Sequence, residues 1–229
     1  MRNVMRKKRV SGVSIVEFSF VLLVLLPLFL GTIEVGLNMV GTLQTVQLAR
    51  DAAHMYARGV DFTLVGNRQL IVKLGQTIGL STSTGAGQGN ALVILSQLKY
   101  IDKAQCNAYG LPNDAGGNPI GCTNLTKWVF AERITLGNTS MRMSTFGSPI
   151  TSGPNGVTIA SDGTISMGDQ VQNSNDVATF TGVNPYSVVN GTVTGLPSGQ
   201  VLYLTEAEAI GFKMSPYASS PMTYSYAIF

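Results

Sequence analysis

The chain has 229 residues, 12% of them charged and 45% hydrophobic, with a formal charge of +3. That positive balance is local. Arg2, Arg6, Lys7, Lys8 and Arg9 are five of the fifteen Lys and Arg, and no acid precedes Glu17, so the rest of the chain holds ten cations against twelve acids, a formal charge of −2. A nucleic-acid-binding surface is therefore not supported.

The first predicted element is a membrane helix. From Phe18 to Gly31 the sequence is apolar except for Ser19. Sixteen residues separate Glu17 from Glu34, about 24 Å of helix at about 1.5 Å per residue, and flanking apolar residues extend this toward the roughly 30 Å hydrocarbon core. One crossing is expected and no second candidate segment follows. With every leader cation on one side, that side stays in the cytoplasm and the remainder is exported, N-in and C-out.

Three accounts of the N-terminus compete. A secretory signal needs a small-x-small site after its apolar region, and here the run leads into Gly31-Thr32-Ile33-Glu34. An uncleaved anchor explains the charges and the length but leaves Gly12 and Glu17 without a role. The third account is a leader of residues 1–12 cut on the cytoplasmic side after Gly12.

At Gly12-Val13-Ser14-Ile15-Val16-Glu17-Phe18 the chain resembles the class III prepilins, and specifically the TadE-like minor pseudopilins of the tight-adherence, or Flp-type, pilus. The acidic Ile33-Glu34-Val35-Gly36 near the far end of the helix matches that family, and Ala49-Arg50-Asp51 resembles its Ala-Arg-Asp-x-Ala-Arg pattern. Residues 199–206 and the ending Tyr226-Ala227-Ile228-Phe229 look like its C-terminal strand and terminus. The resemblance implies that a prepilin peptidase cuts between Gly12 and Val13, and that Glu17 and Phe18 are recognised in processing and assembly. It further implies that Glu17 meets the free amine of a neighbouring subunit. An ionised carboxylate in hydrocarbon needs such a partner, although near the interface it can also snorkel to the headgroups. Major pilins of this type are short and carry Tyr after the glutamate. Phe18 and the long exported part instead imply a minor or tip-like subunit, or an assembly factor.

A single helix is expected over 13–58, broken by no turn cluster, with Gly59 capping it in the left-handed conformation. Pro27 removes one backbone bond, and Gly31, Gly36 and Gly41 follow. Either this stretch unwinds when the subunit leaves the bilayer, or its small residues admit close helix packing. Leu37, Val40, Val46, Ala49, Ala53 and Tyr56 recur at helical spacing and are predicted to pack on the exported domain or on a neighbour. His54, the only histidine, suits the helix C-terminus as a structural cation.

Residues 59–229 are expected to form an exported domain, and the spacing of Leu70, Val72, Leu74 and Ile78 predicts a helix within 65–80. The Gly-rich residues 81–90 form a loop. They lack the Lys-Ser/Thr of a phosphate-binding loop. Strands are predicted over 91–98 and 128–136 as neighbours, the second placing Trp128, Phe130, Ile134 and Leu136 on one face. Asp162-Gly163 signals a two-residue hairpin. A last strand over 201–212 carries Leu202, Leu204, Ile210 and Phe212 on one face, with Glu206 and Glu208 expected to be solvated.

Cys106 and Cys122 flank a loop rich in Gly, Pro and Asn, and in an exported chain a disulfide is their most economical use. Zinc wants about four ligands and no histidine lies nearby.

The expected class is α+β: a long membrane-spanning helix followed by a mainly antiparallel β domain, in the inner membrane with the domain periplasmic or on the cell surface. No nucleophile, base and orienting group can be assembled and no cofactor is implied, so a structural role is expected rather than an enzymatic one. The implied partners are a prepilin peptidase, other pilins and pseudopilins, the inner-membrane pilus assembly machinery and membrane lipids. The alternative is an uncleaved single-pass envelope protein whose exported domain binds a partner.

Overall fold

The computed structural model describes residues 13–179, 188–189, 192–193, 199–214 and 219–229. The leader and Gly12 lie outside the described residues. Helix α1 runs unbroken from Val13 to Ala57, with Pro27 inside it. It is followed by α2 (Val65–Leu74), β1 (Ala91–Tyr100), α3 (Lys103–Ala108), β2 (Trp128–Gly137), α4 (Met167–Gln172), a short pair β3 (Val188–Val189) and β4 (Thr192–Val193), then β5 (Val201–Ile210) and β6 (Met222–Ile228). The fold is α+β: one long apolar helix and a four-stranded antiparallel sheet of order β2-β1-β5-β6.

The last turn of α1 closes as its sequence predicts. Gly59 has φ +84°. Its amide donates to the Tyr56 carbonyl (3.0 Å) and the Val60 amide to the Met55 carbonyl (3.0 Å), the paired bonds of a Schellman cap. A side chain at Gly59 would be strained by that backbone alone.

The C-terminal half of α1 lies on the sheet. Thr45, Leu48, Ala49, Ala52, Ala53 and Tyr56 are buried, and Ala49 and Ala52 join Ala207 and Ala209 of β5 and Val93 and Leu95 of β1 in one core. Small residues on both surfaces let helix and strands approach closely. The predicted stripe packs on the domain at Ala49, Ala53 and Tyr56, with Thr45, Leu48 and Ala52 also on the inner face, while Leu37 and Val40 at its start are about half exposed within the chain. His54 stacks on Phe229 with ring centroids 4.3 Å apart, tying the helix end to the chain terminus.

The strands at 91–98 and 128–136 pair as expected. The single face predicted for β2 does not hold, because a bulge intervenes: Glu132 pairs with Gln97 and Phe130 with Leu98, leaving Ala131 as the extra residue. Ile134 and Leu136 therefore join the core beneath α1, while Phe130 joins Leu98, Phe146, Leu202 and Leu204 on the opposite face. The outer edge of β2 takes the segment around Asp162-Gly163, with the Arg133 amide donating to the Gly163 carbonyl and the Ile165 amide to the Ala131 carbonyl. That segment turns where predicted, but instead of a two-strand ladder it makes the isolated bridge Ile159–Ile165 within itself and the bridge Glu132–Thr164 to β2. Gly163, with φ +99°, lies where a Cβ would strike the Ile134 side chain.

The helix predicted within 65–80 forms as α2, which buries Ile71 and Val72 and leaves Leu70 and Leu74 exposed, with Ile78 buried just beyond it. The last predicted strand ends at Ile210, not Phe212, and β6 adds to its edge.

At the far end of the sheet, Cys106 and Cys122 are joined in a disulfide with 6.0 Å between their Cα atoms. Cys106 packs with Ile101, Val129 and Val171 in a small core. Nearby, Asp176 is fully buried, and burial with the neighbouring Asp169 charge pushes its carboxyl up to about 8. The raised native value means that Asp176 favours folding below its ordinary value of 3.8 and loses that contribution as pH rises through about 8. Domain stability should therefore fall across that interval, with a slope from this group of at most about 1.4 kcal/mol per pH unit. Asp176→Asn should flatten the profile and raise the unfolding midpoint at pH 8; an unchanged slope in urea titrations at several pH values would contradict this account.

Candidate membrane anchor and the buried carboxylates

The lower part of α1 has no protein around it. Among the described residues α1 is the one helix long and apolar enough to cross a membrane. The large apolar side chains from Ile15 to Phe29 are exposed, as are Val35, Leu37, Met39, Val40 and Leu43 beyond them. Such a surface is untenable in water and natural in hydrocarbon, where the helix satisfies its own backbone. The hydroxyls in this stretch are also internally satisfied: Ser19 donates to the Ile15 carbonyl (2.8 Å) and Thr32 to the Phe29 carbonyl (2.8 Å).

Glu17 and Phe18 lie in this exposed part, one turn after Val13, where α1 begins. Among the described residues no cation pairs with Glu17, the sole ion pair being Arg133–Glu206. Residues i and i+4 share a helix face, so Glu17 stands directly above Val13 on one side of the rod. Gly31, Gly36 and Gly41 face open space within the chain, so any close packing they permit is with another molecule.

The second concentration of ionisable groups is inside the domain, on the sheet face away from α1. Glu206 and Glu208, expected to be solvated, are 1% and 4% exposed. The reason is register: both alternate onto the strand face of Leu202 and Leu204, which is roofed by residues 142–149. Glu206 accepts hydrogen bonds from the Ser144 hydroxyl, the Thr145 amide (2.9 Å) and the Tyr224 hydroxyl (2.6 Å), with the Arg133 guanidinium 4.0 Å away. Arg133 in turn donates to Ser96 (2.7 Å) and Ser148 (2.9 Å). Arg142 lies over the Tyr224 ring at 4.1 Å. Burial raises the Glu208 carboxyl and lowers the Arg133 guanidinium, the latter opposed by the Glu206 charge.

Arg133, Ser144 and Tyr224 were not legible as partners in the sequence. The available signal was the even spacing of Glu206 with Leu202 and Leu204, which puts a carboxylate on a core face. Saturated by three donors and a cation, Glu206 is built as a clamp between β5, β6 and the roof, and among the described residues no cluster of three or more His, Cys, Asp or Glu could hold a metal. Glu206→Ala should destabilise the domain by about 3–5 kcal/mol, since it leaves Arg133 buried without its carboxylate. A wild-type urea midpoint for this variant in detergent would restore the solvated reading.

Residues 12–54 match the model of the family described as TadE-like protein. No curated protein and no solved structure matches the chain. The matched segment starts at the signal glycine, contains Glu17, Phe18 and Glu34, and ends at His54, before the first strand begins. From Gly12 through the apolar helix to its penultimate turn, the chain is similar to the TadE-like proteins, the family its N-terminal motif resembles.

Proposed function

We propose that this chain is a minor pseudopilin of a tight-adherence pilus. In this reading it is a single-pass inner-membrane protein, N-in and C-out, that a prepilin peptidase processes between Gly12 and Val13. The observation that carries the reading is the TadE-like segment itself: a Gly12-x-x-x-x-Glu17-Phe18 signal opening a helix whose apolar surface is bare on all sides. Cleavage puts an α-amino group on Val13, one turn below Glu17 on the same helix face. In a row of packed helices that amine and the Glu17 carboxylate of a neighbour are the natural pair, since each is costly alone in hydrocarbon. Phe18 adds an apolar ring beside the carboxylate.

The domains then divide the work. Residues 1–12 are removed, residues 13–58 anchor and assemble, and residues 59–229 form the exported part that contacts other pilins, the assembly machinery or a surface. The role is structural, with no cofactor, and supports pilus biogenesis and adhesion.

N-terminal sequencing of membrane-extracted protein should begin at Val13. A terminus at Met1 would defeat processing and favour the uncleaved envelope protein. Glu17→Ala should still be cut but be depleted from sheared filaments, and normal incorporation would remove the pairing role.

A further inference from the structure

We infer that residues 211–214, which follow β5 and carry Phe212 and Met214, seat in the outward-facing leaflet of the bilayer and hold the exported domain against the membrane. The inference rests on α1 as a membrane-crossing helix and not on leader cleavage. Its basis is the level at which this segment is tied to α1. The Asn38 side chain donates to the Phe212 carbonyl (3.0 Å), and Thr42 and Thr223 share a hydrogen bond of 3.0 Å one turn higher. Asn38 is four residues past Glu34, about 6 Å along the helix, and the headgroup layer beyond the hydrocarbon is itself several ångströms deep. A segment bonded to Asn38 therefore lies in that layer.

The chemistry at this level fits a lipid surface. Phe212, Met214 and Met222 are 47%, 37% and 60% exposed, although they belong to a domain with a well-filled core. Lys213 stands between the first two and is exposed, a cation suited to anionic headgroups. The helix beside them stays apolar too, with Leu37, Val40 and Leu43 about half exposed. Leu37 and Val40 line a cleft of about 670 Å³ shared with Ile210, Phe212 and Lys213, open at the same height. Apolar side chains at the end of a domain, hydrogen-bonded to a helix as it leaves the membrane, have the bilayer as their nearest apolar phase.

Trp128 is the only native tryptophan and supplies an internal reference. It pairs with Tyr100, nine residues along β1 from Ala91, roughly 30 Å from the membrane end of the sheet at about 3.4 Å per residue. Full-length protein and its Phe212→Trp variant are reconstituted into vesicles of phosphatidylethanolamine and phosphatidylglycerol carrying a nitroxide near the headgroup. Flotation establishes that the chain is inserted. The added emission of Phe212→Trp should lose most of its intensity to the nitroxide lipid, while the Trp128 emission of the unmodified protein is unchanged. An inserted variant whose added emission is quenched no more than Trp128 overturns the seating and leaves the pseudopilin reading intact. A chain that does not float overturns both.

Discussion

The contact on which the rest depends is the docking of the C-terminal half of α1 against β5. Leu48, Ala49 and Ala52 of the helix share one core with Ala207 and Ala209 of the strand, and this packing joins the long apolar helix to the domain. Up to Leu43 the helix presents exposed apolar side chains; beyond it, the same helix is a wall of the domain core. Apolar burial across the helix and sheet drives the docking, while the Schellman cap at Gly59 and the stacking of His54 on Phe229 define where the rod stops. No break in α1 separates its exposed apolar half from the half that packs on the domain.

The opposite face of the sheet is organised by charge instead. Glu206 gathers donors from the roof, from β6 and from the neighbouring Arg133. A buried pair of this kind is weak evidence for net stability and better evidence for specifying one arrangement, because each misplacement of the roof strands a charge. The bulge at Ala131 belongs to the same design. By switching faces it sends Ile134 to the helix side and Arg133 to the carboxylate side of β2.

The long apolar helix was readable in the sequence because an apolar run without a turn cluster makes one simple local pattern. The helix end was readable for a similar reason: only glycine suits the left-handed cap. The pairing of β1 with β2 followed from two strong apolar runs. What failed has a common cause in tertiary context. Leu37 and Val40 fit the stripe by spacing, yet within the chain they are only half covered, lining an open cleft beside Ile210 and Phe212. Phe130 and Ile134 share a parity that one extra residue reverses. Glu206 and Glu208 look solvated until the roof that covers them is known, and no local pattern encodes a roof supplied by residues more than fifty positions away.

The central claim is that α1 beyond the bilayer is a core element of the domain and not a projecting stalk. Hydrogen exchange of the inserted, full-length protein tests it most directly. The account predicts that amides of residues 45–57 exchange as slowly as those of β1 and β5, because they open only when the sheet does. Exchange of those amides well ahead of the strands, with β1 and β5 still protected, would contradict it.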